Sequence, residues 1–319
     1  MQPGTKQEDW VEQVFIASTH SYLLLFTDKG RVHWLKAYNI PEGSRTARGK
    51  AIVNFLELEK GEKVTAVVPA RQFDDSHYLV MATQRGIIKK TNLMSFSRPR
   101  KGGIIAVVLD PGDRLINAEL TDGQRDILIA TKNGNAVRFN EMAVRPLGRN
   151  TRGVKGIKLR DDDEVIGMVI LAGKKSIFTV TEHGYGKRTG EKEYSRTNRG
   201  GIGVINIKTS ERNGKVVAVH SVYENNDLML ISRNGIMIRT AAKNISQIGR
   251  NTQGVRIMKL GSDDRVVSAA KIVNEEVSEV TKQEKEIIKE VEEHRKDLKS
   301  DEELVAQQIS DSPAKEETE

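Results

Sequence analysis

Ile127-Leu128-Ile129-Ala130-Thr131-Lys132-Asn133-Gly134-Asn135-Ala136-Val137-Arg138 reads as a strand, a tight turn and a returning strand. The apolar run is too short for a helix. Asn-Gly is a strong hairpin signal, because both central residues of the favoured two-residue turn need positive φ. The pattern recurs around Thr27-Asp28-Lys29-Gly30, Thr83-Gln84-Arg85-Gly86, Thr181-Glu182-His183-Gly184 and Ser232-Arg233-Asn234-Gly235. Successive turn glycines stand 56, 48, 50 and 51 residues apart, and a second glycine (Gly49, Gly102, Gly153, Gly200, Gly254) follows each by 19, 16, 19, 16 and 19 residues. A period of that length indicates an array or propeller, since one such unit cannot bury its apolar face alone.

Each repeat continues past its hairpin. A loop leads to the second glycine and a third strand, as at Ala51 to Leu58, Ile104 to Leu109 and Val204 to Lys208. An acidic or Asn-Gly turn (Glu62, Asp113, Asp163, Asn213-Gly214, Asp264) then delivers a fourth, such as Val64 to Val68 or Val216 to Val219. Four short strands per repeat with almost no helix signal predict an all-β fold of four-stranded blades set radially, which limits exposed sheet edges. The expected organisation is a lead-in over residues 1–11, blades at about 12–63, 64–114, 115–164, 165–215 and 216–273, and a tail over 274–319. In the tail, Val277, Val280, Ile287, Val291 and Leu298 form a helical stripe that Glu284 and His294 interrupt, so a partly helical or disordered acidic segment is expected.

Charge is divided along the chain. From Asn274 to Glu319 there are 16 acidic and 7 basic residues, a balance of −9, which leaves +16 on the rest of a chain whose formal net charge is +7. A basic body with an acidic tail suits a polyanion binder carrying its own competitor; a soluble body with a solvated tail is the plainer alternative. No stretch approaches eighteen consecutive apolar residues, and no basic-then-apolar leader opens the chain. The absence of cysteine excludes disulfides and thiolate sites and fits a reducing cytoplasm.

The basic residues recur at fixed places. Four residues after the turn glycine stand Lys90, Arg138, Arg188 and Arg239, with Trp34 in the first repeat. The loops toward the second glycine carry Arg45 and Arg48; Arg98, Arg100 and Lys101; Arg145, Arg149 and Arg152; Arg196 and Arg199; Lys243 and Arg250. Lys50, Lys89, Lys155 and Lys187 lie beside them. Equivalent positions in a circular array share a circumference, so a basic belt is expected, suited to phosphates and not to base edges. Few aromatics accompany these charges, which favours duplex backbone over stacked single strands. Chemistry of other kinds is not signalled. The six histidines have no metal-ligand spacing, Gly184 to Thr189 lacks the spacing of a phosphate loop, Asp161-Asp162-Asp163 reads as a solvated turn, and no nucleophile has a neighbouring base.

Ala17-Ser18-Thr19-His20, Lys29-Gly30-Arg31-Val32, Tyr38 through Pro41, Arg48-Gly49, Ile52-Val53-Asn54, Gly184-Tyr185-Gly186-Lys187-Arg188-Thr189 and Gly249-Arg250-Asn251-Thr252-Gln253-Gly254-Val255 closely resemble the C-terminal domain of the DNA gyrase A subunit, over about Asp9 to Val273. The resemblance implies a β-pinwheel, a propeller-like disc of usually six blades around whose basic rim duplex DNA bends. It implies a non-catalytic part of an ATP-dependent type IIA topoisomerase, working with the remainder of the gyrase A polypeptide and with the gyrase B subunit in an A2B2 assembly. On that reading this chain binds no cofactor, and ATP and magnesium act elsewhere in the enzyme. The family's heptapeptide box is absent, Met1 to Trp10 resembling the segment just after it, and Arg98-Pro99-Arg100-Lys101-Gly102-Gly103 is a degenerate counterpart. None of the six tyrosines resembles the catalytic one, so no DNA cleavage is expected. The related domain of the A-type polypeptide of topoisomerase IV, or a propeller that binds protein partners, are the alternatives.

Overall fold

The computed structural model describes residues 17–43, 49–160, 162–171, 173 and 175–272, where the chain forms short strands joined by 3-10 turns and loops. The first repeat gives β1 (Tyr22–Thr27), β2 (Arg31–Lys36) and β3 (Val64–Ala70). The second gives β4 (Tyr78–Thr83), β5 (Ile87–Asn92), β6 (Ile104–Ile105) and β7 (Leu115–Thr121). The third gives β8 (Asp126–Thr131), β9 (Asn135–Asn140), β10 (Val154–Lys155) and β11 (Val165–Leu171). The fourth gives β12 (Ser176–Thr181), β13 (Tyr185–Gly190), β14 (Val204–Ile205) and β15 (Val216–Val222). The fifth gives β16 (Asp227–Ser232), β17 (Met237–Ala241), β18 (Val255–Arg256) and β19 (Val266–Ile272). The lead-in and the acidic tail lie outside the described residues.

Hydrogen bonding crosses the repeat boundaries. The four-stranded sheets run β3-β1-β2-β6, β7-β4-β5-β10, β11-β8-β9-β14 and β15-β12-β13-β18, and β19-β16-β17 forms a three-stranded last blade. The strands beginning at Val64, Leu115, Val165 and Val216 therefore close the hairpin before them, so each of the first four blades ends several residues later than the spacing suggested. Each two-residue strand pairs instead with the hairpin of the preceding repeat, Val154 opposite Ile88 for example. A glycine permits this approach: Gly153 has φ 102°, and a Cβ there would lie 2.6 Å from the carbonyl oxygen of Ile88. Gly203 likewise leaves no room for a side chain against the Ala136 carbonyl. The equivalent glycines are thus Gly103, Gly153, Gly203 and Gly254, at 17, 19, 19 and 19 residues from their turn glycines, and the alternation seen with Gly102 and Gly200 disappears.

Three further sequence expectations change. The Ala51 to Leu58 strand does not form; Ile52–Asn54 is a 3-10 turn. In the first repeat Glu62 stands 13 residues after Gly49, where in the others the turn residue stands 10 after the glycine, and the surplus coils before Leu56 reaches the core. The hairpin turns are not of the two-residue kind. Asp162 is the only non-glycine residue with positive φ among the described residues, so Asn133 and Asn234 turn with negative φ and the glycine alone is left-handed. That is the longer hairpin loop that ends in a glycine bulge. Nor is the acidic turn merely solvated: Asp163 accepts the N–H groups of Asn133 and Glu164, each at 2.9 Å, and so ties the fourth strand to the hairpin tip.

The core lies between blades. Leu24, Phe26 and Val32 of the first pack with Leu79, Met81 and Leu115 of the second, and similar clusters recur at the next three junctions. Each fully buried side chain of this size contributes about 1.5–3 kcal/mol. The inner strands pack in turn, β3 on β7, β7 on β11, β11 on β15 and β15 on β19, and residues of all five line one cavity. Among the described residues no comparable packing joins β19 to β3.

Candidate nucleic-acid interface

With β3, β7, β11, β15 and β19 innermost, the outer edge of the array is formed by β6, β10, β14, β18 and the loops that lead into them. Each of those loops begins at a 3-10 turn after the hairpin: Leu93–Phe96, Glu141–Ala143, Glu191–Glu193 or Ala242–Asn244. Asn92 and Asn140 cap two of these turns, accepting the N–H of Met94 and Met142.

The predicted belt separates into two populations. Lys50, Arg98, Arg100, Arg145, Lys155 and Lys243 are exposed and make no ion pair among the described residues. Lys101, Arg152 and Arg196 are exposed too, paired with Glu57, Asp110 and Asp126. Arg149, Arg199 and Arg250 lie half-buried, each giving a guanidinium N–H to a carbonyl of the preceding crossing strand (Ile105, Lys155 and Ile205). They grip the rim loops and stay close to the surface. Arg45 and Arg48 lie outside the described residues.

The second population corrects the sequence expectation. Lys89, Lys90, Lys187 and Arg188 are buried, and Arg138 is largely so. Spacing along a repeat fixes the position around the ring but not the radial depth, and these side chains point into the junction with the next blade. Lys90 Nζ donates to the carbonyl of Glu141 at 2.9 Å. Arg138 Nη1 reaches the carbonyls of Glu191 and Tyr194 at 2.7 and 3.2 Å, while its Nη2 lies 2.7 Å from Asp126. Arg188 Nε donates to Ile245 at 2.9 Å. Arg239 holds the same position in the fifth blade, where no further blade follows among the described residues, and is 58% exposed beside Asp227. Lys89 and Lys187 lie one residue earlier, at 0% exposure, and burial pulls each pKa down to about 8.

Residues that the spacing argument missed include Lys158, Lys208 and Lys259, all exposed, five places after Gly153, Gly203 and Gly254. The correct alignment of the second glycines would have exposed that repeat. Arg212 and Arg256 flank the Tyr185 ring at 5.1 and 5.4 Å from its centre, and their hydrogen bonds hold the phenol below its ordinary pKa. Arg256, on β18, belongs to the outer edge. Among the described residues no group of three or more His, Asp or Glu side chains could hold a metal ion, and no helix is long and apolar enough to cross a membrane.

The family model for the DNA gyrase C-terminal domain, a β-propeller, matches residues 21–71, 77–122, 125–172, 175–222 and 226–272. The chain belongs to that family. Each matched segment runs from the start of a hairpin to the end of the strand that closes it, and includes the two-residue strand that pairs with the preceding blade where one forms. The DNA gyrase A protein of Salmonella typhimurium is 45% identical over 267 residues, covering 84% of this chain and 30% of that protein. The Haloquadratum walsbyi gyrase A protein is 49% identical over 269 residues, covering 82% and 31%. This gyrase-type domain thus spans about a third of the length of the curated relatives it matches. A solved DNA gyrase A C-terminal domain superposes with TM-score 0.71 at 25% identity, covering 86% of this chain and 92% of the other. A topoisomerase IV C-terminal domain gives 0.73 at 24% identity, covering 80% of each, a likeness of fold.

Proposed function

We propose that this domain binds and bends duplex DNA along its outer edge as a non-catalytic part of gyrase. The observation that carries the reading is the set of exposed cations, unpaired among the described residues, in the outer segments of the first, second, third and fifth repeats, with Arg196 exposed in the fourth. Such an array neutralises phosphates without reading bases, and counterion release then supplies most of the affinity. Bending 20–30 base pairs costs on the order of 1–6 kcal/mol, which several phosphate contacts spread along an arc together offset. Within a whole enzyme of gyrase A and gyrase B proteins, in an A2B2 assembly in the cytoplasm, the bent segment would supply the geometry for ATP-dependent negative supercoiling. Nucleotide and magnesium would act elsewhere. Sequence identities of 45% and 49% to gyrase A proteins favour this assignment over topoisomerase IV, whose likeness here is one of fold.

The test is binding of the purified chain to a short duplex labelled at both ends, titrated across salt. About eight phosphate contacts predict a slope of log K against log salt near −7, with end-to-end energy transfer rising on binding. A slope shallower than about −2 would remove the rim as the main contact, and binding without a change in energy transfer would remove the bend.

A further inference from the structure

Two of the rim loops share a sequence, Gly148-Arg149-Asn150-Thr151 and Gly249-Arg250-Asn251-Thr252, and a floor. Beneath the first, the fully buried Lys89 ammonium donates to the carbonyls of Arg149 and Thr151, the latter at 3.0 Å. Beneath the second, Lys187 donates to the carbonyls of Gly249 and Arg250, both at 2.6 Å. In a planar trans peptide the N–H points opposite to the carbonyl it follows. Carbonyls held inward by an ammonium therefore turn the N–H groups of Asn150 and Arg152, and of Arg250 and Asn251, outward. Arg250 and Asn251 are consecutive, whereas Asn150 and Arg152 flank Thr151; outward N–H groups so placed on one loop make a concavity for an oxyanion.

The remaining rim loops lack this arrangement. Val137 replaces the lysine below the fourth-repeat loop, and the Gly200 N–H there is turned inward onto the Gly156 carbonyl at 2.6 Å. His33 lies below Gly103, whose N–H bonds to Arg100 within its own turn. An independent observation shows what the outward groups bind: the Arg250 N–H donates to the exposed carboxylate of Glu193 at 3.2 Å.

We propose that the loop above Lys89 is a backbone phosphate-binding nest for duplex DNA, and that the loop above Lys187 is a second one whose place is held by Glu193 until DNA displaces it. Lys89 and Lys187 are positioning residues: they touch no ligand and set the direction of the peptide groups. The inference rests on the DNA-binding reading above and specifies where two of its phosphates sit.

Amide NMR of the whole chain, titrated with a short duplex, tests it. The Asn150 and Arg152 amides should shift with the DNA, and Glu193→Gln should bring the Arg250 and Asn251 amides into the response and raise affinity about threefold at low salt. Lys89→Met should abolish the Asn150 and Arg152 shifts, leave those of Arg98 and Arg100, and lower affinity about tenfold. If Arg98 and Arg100 respond in the unaltered chain while Asn150 and Arg152 do not, the nest is wrong and DNA binding stands. No response at any amide would sink the DNA reading itself, and the nest with it. Should Lys89→Met fail to fold, the titration of the unaltered chain still decides.

Discussion

Replacing Arg138 with Met should cost stability and leave DNA binding almost untouched, although its position in the repeat matches that of a rim cation. Its guanidinium pairs with Asp126, itself 5% exposed, and spans to two carbonyls of the next blade. Removing one partner of a buried pair costs about 3–5 kcal/mol. Here Asp126 keeps Arg196 at 3.0 Å and Asn140 at 3.1 Å, so part of its solvation by donors survives, and about 2–4 kcal/mol is the reasonable range. For a body of this size that lowers Tm by roughly 4–16 °C. Urea unfolding gives the free-energy change, and DNA titration under conditions where the variant stays folded gives the salt slope. Arg145→Ala is the matched control: it should leave urea unfolding within about 0.5 kcal/mol and lower the slope by about one. If Arg138→Met instead lowered the slope by one at unchanged stability, the assignment of this position to the blade junction would be wrong.

Other outcomes follow from individual contacts. Gly203→Ala should destabilise by about 1–2 kcal/mol from its positive φ alone and more from the collision with Ala136, freeing β14 from β9, which hydrogen exchange of Val204 and Ile205 would show as early loss of protection. His220 is half-buried, with Nε2 2.6 Å from the Ala269 carbonyl, and desolvation lowers its pKa to about 4. The unfolded chain therefore takes up its proton first, and stability should fall as pH drops from about 6.5 toward 4, less steeply in His220→Gln when denaturation is compared at the two ends of that range. Lys89 and Lys187 carry the same sign on the alkaline side: with folded pKa values near 8, stability should rise between pH 8 and about 10.5, and Lys89→Met should flatten that rise in denaturation at the two pH values.

How much of this was legible in the chain depended on the kind of signal. The hairpins were, because Ile127 to Arg138 and its counterparts combine strand composition with a glycine turn at constant spacing. The exchange of strands between blades was not. A strand of two residues such as Val154–Lys155 has no periodicity to read, and its partner lies 66 residues earlier, at Ile88. The rim was half legible. Arg98, Arg100 and Arg145 stand exposed on loops, whereas Lys90, Arg138 and Arg188 satisfy the same repeat logic from inside a junction. Repetition tells which residues are equivalent; only packing tells how deep they lie.

The crossing strands also determine how load is carried. On the proposed function, DNA held in a bend would push back as a spring, and that recoil would act on the loops before β10, β14 and β18. Each of these loops is anchored in a strand bonded to the neighbouring blade, so the force passes along the array from blade to blade and does not peel one hairpin from its own sheet. That attachment is only two residues long, but the apolar clusters between blades and the buried Lys90, Arg138 and Arg188 cross the same junctions, so each seam would share the load between strand hydrogen bonds and packed side chains. The array would then resist the recoil as a chain of interlocked plates, each stiffened by its neighbour.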